Sequence, residues 1–209
     1  MVRAISGLYA KPLVLLAVFL LALPAGGCGV NNIPTYEQGA KAAWSEVLNQ
    51  YKRRADLIPN LVESVKGFAD QERKVLTEVT EARAKATSIQ IPADIITNPE
   101  AMKKFQDAQN TLGGALRQLL AVVERYPDIK SGQNFLTLQS QIEGTENRIS
   151  IARRDYIEAV RQYNTEITTI PGRWWKSFLY ASATEMATFD IPADEMKTPK
   201  VDFGAGKGP

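Results

Sequence analysis

Apolar residues early in the chain recur in steps that are mostly four or three: Trp44, Leu48, Tyr51, Ala55, Ile58, Val62, Val65, Ala69, Leu76 and Val79. That is the period of one helix face, not of a strand. Glu72 is the polar interruption. The seam keeps its phase across Pro59. A proline inside a helix removes one N–H and crowds the carbonyl four residues back, here that of Ala55. Interior prolines commonly end a helix. An intervening loop would lose the phase, however, and a kink would keep it. The pattern therefore predicts one helix from Tyr36 to about Thr87, kinked at Pro59.

Residues 88–97 break the period at Pro92 and can pack through Ile89, Ile91, Ile95 and Ile96. Asn98-Pro99-Glu100 then opens a second helix, with Asn as the cap, Pro in the first turn and an acid near the positive end of the helix dipole. Its seam is Met102, Phe105, Leu112, Leu116, Leu119, Val123 and Tyr126, and Tyr126-Pro127 closes it. Gly113-Gly114 costs about 1 kcal/mol per glycine relative to alanine and offers a place for close helix approach. A third helix, Ser131 to about Ile167, shows Phe135, Leu138, Ile142, Ile149, Tyr156, Val160, Tyr163 and Ile167 in register, interrupted by Thr145 and Arg153. Pro171-Gly172 stops it, and residues 173–180 read as a short, strongly apolar fourth helix. No segment has a strand period. The predicted fold is all-α: an antiparallel up-down helical bundle of three long helices, the first kinked at Pro59, plus the short fourth. It divides as 1–27 signal segment, 28–35 tether, 36–180 bundle and 181–209 extended tail.

The N-terminus makes this an anchored bundle. Arg3 and Lys11 precede an uninterrupted apolar run, Leu13–Leu23, of 11 residues, and Ala25-Gly26-Gly27 leads into Cys28. That is the layout of a secretory signal. Cys28 is the sole cysteine, so it has no disulfide partner within the chain. It stands where a bacterial lipoprotein carries its acylated cysteine, although Ala25 occupies a position where leucine is commoner. Two or three acyl chains there would hold the protein on a bilayer, since stable anchoring takes more than one. Gly29 after the cysteine resembles the sorting pattern of outer-membrane lipoproteins, which puts the protein on the periplasmic face where the cell has two membranes. The alternative is a single-pass N-terminal anchor, because residues 12–36 carry no charge. The glycines and asparagines at 26, 27, 29, 31 and 32 count against it.

Charge and missing side chains narrow the function. The net charge is +2, but the leader holds two of the 25 basic residues and no acid, leaving 23 against 23. A neutral domain is a poor match for the nucleic-acid backbone or for a polybasic membrane contact. There is no histidine. With the only thiol in the leader, the usual zinc ligands, nucleophile–base pairs and imidazole base are missing. No phosphate-binding glycine loop is present. No cofactor, metal or enzymatic activity is expected. Glu143 with Glu146, and Asp56 with Glu63, are carboxylate pairs at helical spacing, which ordinarily are solvated or ion-paired.

Polar residues form two stripes. Asn49, Arg53, Asp56, Asn60 and Glu63 lie on the first helix, with Arg54 beside them. Glu143, Asn147, Ser150 and Arg154 lie on the third. Three readings stand: solvated faces with weak intrahelical pairs, a contact surface for another protein, or facing stripes in which Arg53 or Arg54 pairs with Glu143 or Glu146 and fixes helix register.

The chain resembles the LemA family. The resemblance rests on Trp44, on Tyr51 to Val62 (YKRRADLIPNLV), on Val65-Lys66-Gly67, on Glu81-Ala82-Arg83-Ala84, and on Tyr126-Pro127 and Asn134-Phe135. It continues through Glu143 to Ile149 (EGTENRI), Ala152 to Tyr156 (ARRDY), Tyr163-Asn164 and the Val201-Asp202-Phe203 ending. It implies an antiparallel bundle, usually of four helices, tethered to a membrane at the N-terminus, with no catalytic residue to carry over. Many members look tethered by a transmembrane segment, whereas this chain offers Cys28.

The expected function is that of a non-enzymatic envelope protein: a helical scaffold, or a self-assembling or partner-binding module at the membrane surface. Its expected contacts are the bilayer, through acylated Cys28, a second copy, or a membrane protein. The alternative is an accessory regulator of an envelope protease or membrane-stress pathway. Trp174-Trp175 is either a hydrophobic cap on the bundle or an interfacial anchor, since indoles favour the headgroup layer.

Overall fold

The computed structural model describes residues 29–68 and 72–189, and every regular element in them is helical. The helices are α1 Asn32–Ser64, α2 Arg73–Ser88, α3 Pro99–Val123, α4 Pro127–Lys130, α5 Gln133–Thr168 and α6 Gly172–Phe178. Short 3-10 turns cover Lys66–Phe68 and Ile95–Thr97. The long helices pack antiparallel. The expected signal segment 1–27, Cys28, the seam residue Ala69 and the tail beyond Phe189 lie outside the described residues. None of the described helices is long and apolar enough to cross a membrane.

The expected first helix is two helices. α1 passes through Pro59 and ends at Ser64. The Ala55 carbonyl, deprived of its helical donor by the proline, accepts a hydrogen bond from Arg83 Nε of α2 at 2.8 Å. The helix end lies at Val65-Lys66-Gly67, where glycine disfavours continuation. The polar interruption Glu72 is where α2 begins. Its carbonyl accepts from the amides of Val75 and Leu76. Its carboxylate accepts from Arg125 Nη2 at 2.8 Å and Tyr126 Oη at 3.2 Å. The apolar seam crosses this break because each helix is amphipathic on its own, so periodicity alone did not reveal the turn. Among the described residues the bundle thus has four long helices rather than the three expected from periodicity, which agrees with the four that the family resemblance implies.

The chain divides into two compact units. The first comprises residues 29–42 and 158–186. Its buried apolar side chains are those of Ile33, Ala40, Val160, Tyr163, Ile167 and Met186. Asn32 Nδ2 donates to Glu166 Oε1 at 3.2 Å. Asn164 brackets Met186, donating from Nδ2 to its carbonyl and accepting at Oδ1 from its amide, both at 2.9 Å. In this unit α6 does not serve as a buried cap: Trp174, Phe178 and Leu179 are exposed, and only Gly172 is buried.

The second unit comprises the described parts of 43–157 together with 187–189. Ile58, Leu61 and Val65 of the first helical segment meet Val75, Leu76, Val79, Ala82 and Ala86 of α2. With them pack Leu112, Leu116, Leu119, Val122 and Val123 near α3, and Phe135 and Ile142 of α5. Each such Leu, Ile or Val, fully buried, contributes about 1.5–3 kcal/mol. A second cluster is aromatic. Trp44 lies 5.3–5.9 Å by ring centroid from Phe105, Tyr156 and Phe189, and Tyr51 meets Phe105 edge-on at 5.3 Å. Phe189 belongs to the extended tail, which the Tyr156 hydroxyl holds by donating to the Ala187 carbonyl at 2.8 Å. The expected cap is present at α3, where Asn98 Oδ1 accepts from the Ala101 amide at 3.0 Å and Pro99 takes the first helical position. Both polar interruptions of α5 stay in its seam. Thr145 is fully buried and donates to the Gln141 carbonyl at 2.7 Å. The Arg153 guanidinium sits 4.5 Å over the Phe189 ring.

Candidate functional site

The second unit holds a buried arginine beside an open groove. Arg54 is 3 % exposed. Its Nη1 donates to Glu146 Oε1 of α5 at 2.8 Å. Its Nη2 donates to Gln109 Oε1 of α3 at 2.8 Å and to the Gln109 carbonyl at 3.1 Å. The guanidinium carbon lies 5.1 Å from the Tyr51 ring centroid. One cation thereby joins three helices. A rigid fork meets acceptors spread over two nitrogens, whereas a lysine presents its three donors from a single atom. Arg54 Nε is buried and has no acceptor among the described residues.

Gly113 lies beside this arginine. A Cβ added there would stand 3.6 Å from Arg54 Nη1, an ordinary contact, and one added at Gly114 would meet nothing within 4 Å. Gly113 borders the arginine, while Gly114 serves no close approach.

The groove has a volume of about 470 Å³. Leu48, Tyr51, Ala55, Ile89, Ile91 and Phe105 supply its apolar walls. Asn49, Lys52, Asp56, Arg83 and Gln109 supply its polar atoms, so it adjoins the arginine cluster through Gln109. Burial pushes the Tyr51 phenol up, against the opposing pull of Arg153 and Arg54.

The structure separates the polar residues that the sequence grouped. Arg54 and Glu146 come together across helices. Arg53, Asp56 and Asn60 are exposed, and Asp56 also lines the groove. Glu143 is exposed and accepts from Gln139 Nε2 at 3.0 Å on its own helix. Arg154 is exposed and pairs with its neighbour Asp155 at 3.5 Å. Glu63 pairs with Lys66. Sequence reasoning missed Gln109, whose burial and helix position carry no local signature. It also missed the role of Arg83, for which the unpaired Ala55 carbonyl was the available signal.

The LemA family model matches residues 43–203. Two proteins of Paramagnetospirillum magneticum, magnetosome proteins MamQ 1 and MamQ 2, are each 25 % identical over 175 residues, covering 76 % of this chain and 63 % of theirs. Protein LemA of Metamycoplasma hominis is 27 % identical over 118 residues, 56 % of this chain and 50 % of that protein. The chain thus spans less than two thirds of the length of these relatives. The matched region holds Arg54, Gln109, Glu146, Pro59 and Arg83 together with the whole groove. On that match the chain belongs to the LemA family.

Proposed function

We propose that this protein is a non-enzymatic, lipid-anchored envelope module that binds a segment of another polypeptide in the groove between α1, α2 and the 89–91 connection. The observation that supports this is the groove itself. Apolar walls lie beside side chains whose hydrogen-bonding capacity is unused. Lys52, Asp56 and Asn49 are exposed and make no side-chain hydrogen bond or ion pair among the described residues. Arg53 and Asn60 extend the same exposed surface along α1. Apolar contact supplies the affinity, and the opposite, unengaged charges of Lys52 and Asp56 orient the partner. Acylated Cys28 confines that binding to a membrane surface, where confinement raises the effective concentration of a partner held on the same bilayer.

Photo-crosslinking from Lys52 and Thr87 of the full chain in its native membranes tests the reading. Discrete adducts are expected, and their mass separates a second copy of the chain from a different protein. They should disappear with Ile91→Asp, a change at an exposed groove residue. Adducts that persist unchanged in Ile91→Asp, or none at either position, would refute it.

A further inference from the structure

α6 and its flanks present an apolar patch whose setting points to a bilayer. Trp174 is 56 % exposed, Phe178 80 % and Leu179 60 %. Trp174 and Phe178 are four residues apart in α6 and so share one face. Contiguous exposure of large apolar groups marks a contact site. Two cations, Arg173 and Lys176, lie within the same seven-residue helix. No acid occurs between Glu166 and Glu185, and neither cation has an ion-pair partner among the described residues. Indole, phenyl and a pair of unopposed cations is the combination that suits the interfacial layer of an anionic membrane.

The position of the patch agrees with its composition. Gly29, the residue after the proposed acylation site, sits against Glu166: a Cβ on it would lie 3.9 Å from Glu166 Oε1. Asn32 donates to the same oxygen at 3.2 Å. At the start of α6, Gly172 abuts the same residue, so closely that an added Cβ would lie 2.1 Å from the Glu166 carbonyl oxygen. The point where the chain leaves its tether and the point where α6 begins therefore share one neighbour. An anchor at residue 28 delivers α6 to the membrane surface.

We infer that Trp174, Phe178 and Leu179 insert into the interfacial layer of an anionic phospholipid bilayer, with Arg173 and Lys176 on the headgroups. This second contact would fix the orientation of the unit that a flexible acyl tether alone leaves free. It rests on the reading of the protein as membrane-anchored, but its test does not.

The full chain is mixed with vesicles of phosphatidylcholine and phosphatidylglycerol carrying brominated acyl chains, and tryptophan quenching is read. Trp44, the remaining tryptophan outside α6, is buried. Quenching is expected in the native chain. It should fall by more than half in Trp174→Phe, which keeps the apolar contact but removes the reporter, and in the Phe178→Ser/Leu179→Ser pair. It should weaken in Arg173→Gln/Lys176→Gln, and in vesicles of phosphatidylcholine alone. Unchanged helical circular dichroism controls for folding. No quenching in the native chain overturns the inference. So does quenching indifferent to all these changes, or a concentration-dependent dimer that shields Trp174 from lipid. Co-sedimentation of the chain and its Cys28→Ser variant reports separately on the anchor. Membrane association lost with Cys28→Ser but without Trp174 quenching would leave the anchor standing and remove the patch.

Discussion

Arg83 Nε donates a 2.8 Å hydrogen bond to the carbonyl of Ala55, the acceptor that Pro59 leaves without a helical donor. Ala55 is buried, so this carbonyl has little access to water. An unmet buried acceptor costs about 1–3 kcal/mol. The bond therefore explains how α1 continues through a proline, and it joins α1 to α2 at a point that sequence position alone separates. Arg83→Met should destabilise the native protein by about 1–2 kcal/mol in denaturant melts. In a Pro59→Ala background, residue 59 regains its N–H and the same change should cost much less. A double-mutant cycle with no coupling between the two positions would show that Arg83 serves another purpose.

Two glycines on helices should respond in opposite directions. Gly114 has open space around its Cβ position and negative φ, so Gly114→Ala should stabilise the fold by about 0.5–1 kcal/mol through helix propensity. Gly172 has no room, because a Cβ would penetrate the Glu166 carbonyl oxygen. Gly172→Ala should displace the start of α6 and cost about 1–3 kcal/mol. Thermal melts of the two variants give the sign of each. Equal effects would contradict the packing described here.

The three-residue and four-residue spacing of apolar side chains made the helices legible, and the cap at Asn98-Pro99 was readable from side-chain chemistry alone. The turn between α1 and α2 was not readable. Two amphipathic helices happen to preserve one phase across it, so Glu72 looked like a blemish in a seam when it is a helix start tied to Arg125 and Tyr126. The short apolar helix was found, but its exposure could not be read, because Trp, Phe and Leu give the same pattern facing a core or a membrane. Of the polar residues weighed for pairing, Arg54 and Glu146 meet across helices. Helical spacing defines a face, yet whether that face meets water or a neighbour depends on how the helices rotate against one another. Gln109 illustrates the remainder: a buried acceptor chosen by tertiary packing, with nothing in its local sequence to mark it.

Burial holds the phenols of Tyr51, Tyr156 and Tyr163 above their ordinary range, with Glu37 adding to the effect at Tyr163. In the unfolded chain they ionise near pH 10.0. Because the folded pKa is raised, the stability contribution is complete below pH 10.0, where the unfolded phenols ionise, and is lost as pH rises from there through the folded pKa. The protein should therefore unfold in alkali, and these three phenols should ionise only as helical circular dichroism disappears. A phenolate absorbance titration in which all tyrosines ionise near pH 10 with the helices intact would contradict this.

The tail is fastened by side chains of α5, and Asn164 is the residue to test. It makes two hydrogen bonds with the backbone of Met186, one as donor and one as acceptor. Asn164→Ala removes both and should cost about 1–2 kcal/mol, with earlier proteolysis around residues 181–189. Asn164→Asp keeps an acceptor for the Met186 amide but sets a carboxylate against its carbonyl, so it should be no better than alanine. Retained protection in both variants would mean that Met186 is held by its apolar burial alone.

The arginine cluster separates stability from register. Arg54→Lys offers one compact ammonium in place of a fork and cannot reach Glu146 and both Gln109 oxygens together. It should cost about 1–3 kcal/mol despite keeping the charge. Arg54→Met combined with Gln109→Leu removes the buried charge and its side-chain acceptor together. Replacing a buried polar pair by apolar groups of similar volume is often close to neutral, so the double variant should recover most of that loss. If Arg54 sets the register of α1 against α3 and α5, the double variant should nevertheless lose definition. Its amide resonances in those helices should broaden, and backbone exchange should quicken without a matching fall in global stability. A double variant as well ordered as the native protein would reduce Arg54 to an ion pair that the fold does not need. A neutral Arg54→Lys would remove the argument from fork geometry, because a single ammonium would then serve all the acceptors that matter.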